Sequence, residues 1–244
     1  MRRFVLGLSI VTALTIGQLS AGTLQVFSYA GNVGSEASRI GNANAQLLIL
    51  AGSGILVDKE NFEGFTALNV GGEKTTLATG IGTFQTLAGN LKGGNGASTK
   101  KAGFTILDQK TSPFNGRYNV TSGGKNWLDS NDNTKIGLSI NPALNNLYFF
   151  MTDEGDSGGK LTITTTASSG TTVLGANPNG TLHLLFWQGS AGEQISSIEF
   201  SNSSRTDGYG LDRFGTIVPE PSFYALSSLF AGGLLYSVRR KRKS

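Results

Sequence analysis

Apolar residues in this chain recur in short runs, and clusters of Gly, Asn, Asp and Ser separate them; the three-and-four spacing of a long amphipathic helix is missing. Leu24, Val26 and Phe27 open one run, and others occupy 103–107, 136–140, 147–152, 161–166, 182–187 and 195–200. Lys160-Leu161-Thr162-Ile163-Thr164 alternates apolar and polar, as a half-buried antiparallel strand does. Gln194-Ile195-Ser196-Ser197-Ile198-Glu199-Phe200 puts Ile198 and Phe200 on alternate positions. The apolar run 47–57 is broken by Gly52 and Gly54, and 43–50 predicts at most a short helix weakened by neighbouring glycines. The intervening Asn, Gly, Asp and Ser residues are turn formers. The pattern predicts an all-β domain, a two-sheet β-sandwich of jelly-roll type. No repeat at a fixed period and no shift of composition divides the domain.

Two apolar stretches at the ends do not fit that rhythm. Met1-Arg2-Arg3 precedes the apolar run 4–16, and Ser20, Ala21 and Gly22 follow it. A short cationic region, an apolar core and small residues make a secretory signal peptide over 1–22. At the other end, Val218-Pro219-Glu220-Pro221-Ser222 leads into the apolar stretch 223–238, closed by Arg239, Arg240, Lys241, Arg242 and Lys243. As a helix at ~1.5 Å per residue this stretch spans about 24 Å, short of a ~30 Å hydrocarbon core, with snorkelling cations covering part of the difference. The cations hold that end in the cytoplasm. Residues before Pro219 then lie on the outer side, which the N-terminal signal also requires. The expected organisation is a signal peptide (1–22), an extracytoplasmic sandwich (23–217) and a C-terminal segment (218–244) with a transmembrane helix at 223–238 and a stop-transfer tail at 239–243.

Composition narrows the function classes. The chain has 35 Gly, 5 Pro, no Cys and only 15% charged residues. The lack of Cys excludes disulfides, cysteine nucleophiles and zinc–thiolate sites. A net charge of +4 suggests a nucleic-acid partner, but the charge is unevenly placed. Setting aside the seven terminal cations among 20 basic residues, and Glu220 among 16 acidic ones, leaves 13 basic against 15 acidic. The central domain is slightly acidic, and no basic groove for nucleic acid is expected.

The Pro219-Glu220-Pro221 triplet, the short apolar segment and the basic end resemble the PEP-CTERM sorting signal. This resemblance covers the last 27 residues, and its three parts occur in the family's order. It implies that Pro219, Glu220 and Pro221 are read by an exosortase, a membrane-embedded sorting enzyme. It further implies that the tail holds the precursor in the inner membrane, and that the protein reaches the cell surface or an extracellular matrix, with polysaccharide as a typical partner. The stretches 147–159 and 207–214 more weakly resemble segments of β-sandwich domains in such proteins. Physically, two prolines stop a helix and hold the triplet extended just outside the bilayer.

Candidate chemistry inside the domain is sparse. Asp153, Glu154 and Asp156 put three carboxylates in a Gly-rich turn, a pattern shared by solvated turns and calcium loops; Asp207 and Asp212 would join a calcium site if their loop shares that end of the sandwich. Asp129-Ser130-Asn131-Asp132-Asn133 opens like an EF-hand loop, but Thr134 and Ile140 replace the required glycine and bidentate glutamate, so a polar loop is expected. His183 is the only histidine and lies in a strand-like run without a Gly-x-Ser-x-Gly elbow, which predicts a structural or surface role. Trp127, Trp187 and Tyr209 are candidates for a sugar-stacking platform or, more commonly, for core packing. The leading expectation is a non-enzymatic surface or matrix protein without a required cofactor. The alternatives are a carbohydrate-binding module, with or without calcium, and a glycan hydrolase with two carboxylates across a cleft.

Overall fold

The computed structural model describes residues 22–68, 72–88, 103–131, 133–154, 161–166, 171–190, 192–203 and 208–220. The expected signal segment up to Ala21, and Pro221 with the apolar stretch and basic tail after it, lie outside the described residues. Two antiparallel sheets form the domain. The first runs in the spatial order β1 (Thr23–Tyr29), β11 (Leu182–Gln188), β8 (Asn146–Thr152), β13 (Gly210–Val218), β6 (Asn126–Asp129) and β5 (Thr105–Asp108), with β2 (Ile55–Glu60) also on β13. The second runs β10 (Thr171–Leu174), β9 (Leu161–Thr165), β12 (Ile195–Asn202), β7 (Lys135–Leu144), β4 (Gly82–Ala88) and β3 (Thr76–Ala78).

The sheets meet face to face over an aromatic core. Phe149 of β8 stacks on Phe214 of β13 at 5.0 Å and meets Phe200 of β12 edge-on at 5.8 Å. Phe84 of β4 meets Phe214 edge-on at 5.5 Å. These are the geometries that aromatic quadrupoles favour. A second core lies on the outer face of the first sheet, where Tyr148, Phe150, Leu182, Leu184 and Phe186 pack with Ala43 and Leu47 of helix α1 (Glu36–Ala51). This two-sided burial explains why the runs at β8 and β11 are almost unbroken, whereas an antiparallel strand with one wet face alternates.

Helix α1 is longer than the 43–50 expected from sequence, at 16 residues. Ser35 caps it by accepting a hydrogen bond from the Ser38 N–H at 3.2 Å, and Glu36 sits in the favourable first turn. Gly41 faces open space, so it costs only its propensity. Gly52, at φ 56°, donates its N–H to the carbonyls of Leu48 and Ile49 and ends the helix. The 47–57 run is therefore the end of a helix followed by β2.

Strand register decides which parts of the chain share an end of the molecule. Thr23 lies opposite Gln188, Gln188 opposite Asn146, and Val218 opposite Ile55. The start of β1, the end of β13 and the end of α1 therefore lie together. The other end collects Tyr29, Leu182, Thr152, Gly210 and the start of α1, through the pairs Tyr29–Leu182, Leu182–Thr152 and Gly210–Thr152.

Candidate functional site

At the end opposite Thr23 and Val218, loop 109–118 folds against the first turns of α1 and the turn at 177–180, enclosing an open cleft of about 500 Å³. Glu36, Gln109, Asn115 and Asn179 supply amides and a carboxylate, and Phe114 and Tyr118 supply rings. Arg39 braces the cleft: Nε donates to Tyr118 Oη at 3.1 Å, and Nη1 donates to the carbonyls of Gly31 and Gly34 at 3.0 Å each. Tyr118 Oη in turn donates to Gly180 O at 3.0 Å. Burial pushes the Glu36 carboxyl upward, against the pull of the Arg39 guanidinium. Glu36 is the only carboxylate among the described lining residues.

Behind the cleft, the buried Arg117 holds two carboxylates apart. Its Nη1 donates to Asp129 Oδ1 at 3.1 Å and its Nε to Asp153 Oδ2 at 3.3 Å, while its guanidinium lies 4.3 Å from the centre of the Phe114 ring. Asp153 Oδ1 accepts the Gly180 N–H at 3.0 Å. Gly116, at φ 88°, lies so close that a Cβ would meet Asp153 Oδ1 at 2.4 Å and Asn179 Oδ1 at 2.5 Å, so both conformation and space require glycine. Burial raises the Asp129 carboxyl pKa, with Arg117 pulling it back.

This arrangement corrects the solvated-turn expectation: Asp153 is 3% and Glu154 1% exposed. The candidate calcium ligands are engaged separately. Asp153 binds Arg117 and Gly180, while Asp212 on β13 accepts the backbone N–H groups of Val120, Thr121 and Arg213 at 2.7, 3.1 and 2.7 Å. Asp156 and Asp207 lie outside the described residues. No group of three His, Asp or Glu side chains able to hold a metal ion occurs among the described residues. Asp129, Ser130, Asn131 and Asn133 are polar as expected but buried: Asp129 Oδ1 accepts the Asn131 N–H at 2.8 Å, and Asn131 Nδ2 donates to Gly103 O at 3.0 Å. Trp127 and Trp187 are 0% and Tyr209 1% exposed, so they are core residues and offer no open sugar platform.

Of the structural and surface roles expected for His183, burial leaves the structural one, and the fold gives it partners that spacing alone does not reveal. Ser28, opposite it on β1, shares a 2.8 Å hydrogen bond with Nδ1, and Glu154 Oε2 lies 3.4 Å from Nε2. Asn177 Nδ2 donates to the same Glu154 oxygen at 3.0 Å. His183 and Glu154 are each 1% exposed, so no substrate reaches the imidazole in this conformation. The cleft itself was missed because its residues come from three distant segments of ordinary loop composition. The one usable signal was the density of Asn, Gln, Gly and aromatic residues over 109–118. No protein-family model matches the chain, and no curated protein does.

At the opposite end, β13 finishes at Val218, and Pro219 and Glu220 follow it exposed to solvent. Among the described residues no helix is long and apolar enough to cross a membrane.

Proposed function

We propose that this chain is an exported, non-enzymatic surface or matrix protein, sorted through Pro219-Glu220-Pro221 by an exosortase-type enzyme. The order of that triplet, the apolar stretch 223–238 and the cations Arg239 to Lys243 carries the reading. The fold supports it in one respect: the last described strand is complete before Pro219, so cutting at the motif would remove none of the described strands. The precursor is held in the inner membrane with the sandwich outside. The strand orders β6-β13-β8-β11 and β7-β12-β9-β10 support the jelly-roll expectation, because successive strands from β6 to β9 and from β10 to β13 alternate between the sheets. Intact mass of the protein recovered from cells with and without the sorting enzyme tests the proposal. With the enzyme, the product ends near the motif; without it, the mass reaches Ser244. A mass reaching Ser244 in both strains overturns it and leaves a simple anchor.

The second reading, carbohydrate binding, is favoured by the cleft. Its amides, carboxylate and half-buried Phe114 suit a hydroxyl-rich ligand that is both hydrogen-bonded and stacked. With Glu36 as the only carboxylate among its described lining residues, the cleft shows no facing pair of the kind glycoside hydrolysis uses among those residues. The ligand class is an extracellular polysaccharide. Pull-down on purified exopolysaccharide tests it: Phe114→Ala with Asn115→Ala should abolish retention, and retention unchanged by that pair removes the cleft from the reading.

A further inference from the structure

We propose that the end of the domain from which the tail leaves is itself a membrane seat, with Leu48, Ile49, Ile55 and Val218 resting in the interfacial layer of the bilayer that the tail enters. The proposal rests on the membrane reading of 223–238 and adds to it a defined orientation of the folded domain.

Exposed large apolar side chains are few among the described residues, and four of those seven belong to this end. Leu48 is 62% exposed, Ile49 71%, Ile55 45% and Val218 37%. Their closeness follows from backbone contacts. Gly54 donates to Ala51 O at 2.8 Å across the turn that joins α1 to β2, and a Cβ on Gly54 would lie 2.6 Å from Ile217 Cγ2. Ile55 is the register partner of Val218. Leu50, Gly54, Ile217 and Pro219 line one shallow depression between these segments.

The outer face of α1 changes character along its length. Ala37, Ser38, Gly41, Asn42 and Ala45 are exposed in the first turns, as expected of a face toward water. The last turn instead exposes Leu48 and Ile49, although Ala43 and Leu47 already supply the contact with the sheet. A helix that needs only to cover a sheet gains nothing from apolar residues there. The change occurs at the end where the chain departs.

The tether names the occupant. Phe223 follows Val218 by five residues, which reach at most about 18 Å when fully extended. With the apolar stretch in the bilayer, this end of the domain is confined to the headgroup region or just above it. No Lys or Arg occurs in 48–57 or 217–220, so apolar insertion, and not attraction to anionic lipid, makes the contact. Zwitterionic lipid is therefore sufficient.

The chain has no cysteine, so one introduced thiol is a unique probe site. The full chain carrying Leu48→Cys or Ile49→Cys, labelled with an environment-sensitive fluorophore, is reconstituted into phosphatidylcholine vesicles. Val173→Cys, exposed on the second sheet, is the reference. The expected result is flotation of the protein with the vesicles, a blue-shifted probe at 48 and 49 that lipid-borne quenchers reach, and an aqueous probe at 173. Flotation with aqueous probes at 48 and 49 overturns the seat while leaving the membrane reading of the tail intact. Failure to float overturns that reading and the seat with it. A blue shift that disappears as the protein is diluted into excess lipid assigns the patch to a second copy of the chain and also overturns the seat.

Discussion

At the scale of single residues, the domain depends on a few buried charges whose partners are remote in sequence. Arg117 bridges Asp129 and Asp153 with its own side chain 4% exposed. Removing it leaves two buried carboxylates without their cation, a loss of about 3–5 kcal/mol. Arg117→Met should therefore lower the thermal midpoint by on the order of 10 °C, and adding Asp129→Asn should recover part of that loss. Calorimetry of the two variants checks both. Asp212 gives a second prediction. Burial pushes its carboxyl up to about 7, despite the N–H groups of Val120, Arg213 and Thr121 that favour the charged form. Because the folded state keeps this proton where the unfolded chain has already released it, the contribution of Asp212 to stability is fullest below about pH 4 and declines as pH rises toward about 7, by at most about 4 kcal/mol. Burial of Asp129 acts with the same sign. Urea midpoints at pH 5 and pH 8 should fall for the native chain and fall less for Asp212→Asn. The sequence displayed Asp153, Glu154 and Asp212 as acidic residues in turns but could not show what they bind: Arg117 is 36 residues from Asp153, and Val120 is 92 from Asp212.

At the scale of elements, what was legible followed from how many faces an element buries. Strands β1, β7, β8, β9, β11 and β12 were visible as runs because at least one face carries core side chains or a clean alternation. Strands β3, β6 and β10 are three or four residues long, too short to show a period, and β6 reads Asn-Trp-Leu-Asp. Strand β13 contains Gly210, Asp212, Arg213 and Gly215, which read as a turn. It is a strand because Gly215 admits the Tyr148 ring, whose Cζ would lie 2.3 Å from a Cβ there, and because Asp212 is satisfied by backbone amides. Helix α1 was underestimated because its polar first half has no apolar period; Ser35 and Gly52 fix its ends. The helix also offers a controlled comparison. Leu47 is 0% and Leu48 62% exposed. Leu47→Ala should cost about 2–4 kcal/mol through the cavity left under the helix, whereas Leu48→Ala should change stability by less than about 0.5 kcal/mol in detergent-free buffer. Denaturant titration of the pair measures the difference. A large loss at Leu48 would mean that the last turn of α1 is covered in solution.

At the scale of the whole molecule, the register separates two tasks by the length of the sandwich. Strand β8 runs seven residues from Asn146, beside the departing chain, to Thr152, beside the cleft, a distance of about 20 Å at ~3.3 Å per residue. A tail that tethers one end therefore presents Phe114, Asn115 and Asn179 away from the bilayer, where a polysaccharide can reach them. If sorting and binding are built into opposite ends joined by a rigid core, their variants should separate cleanly. Pro219→Ala should block processing at the motif, leaving the mass at Ser244, while binding of the recovered protein to exopolysaccharide is unchanged. Phe114→Ala with Asn115→Ala should be processed normally and lose retention on the polysaccharide. Cleft residues that also impaired processing would indicate that the sorting enzyme contacts the distal end, which a domain standing upright on its tail does not allow. The expected outcome is independence, because the cleft loop is bonded to Thr152 and the end of β13 to Asn146, at opposite ends of β8, with the core around Phe84, Phe149 and Phe214 between the sheets.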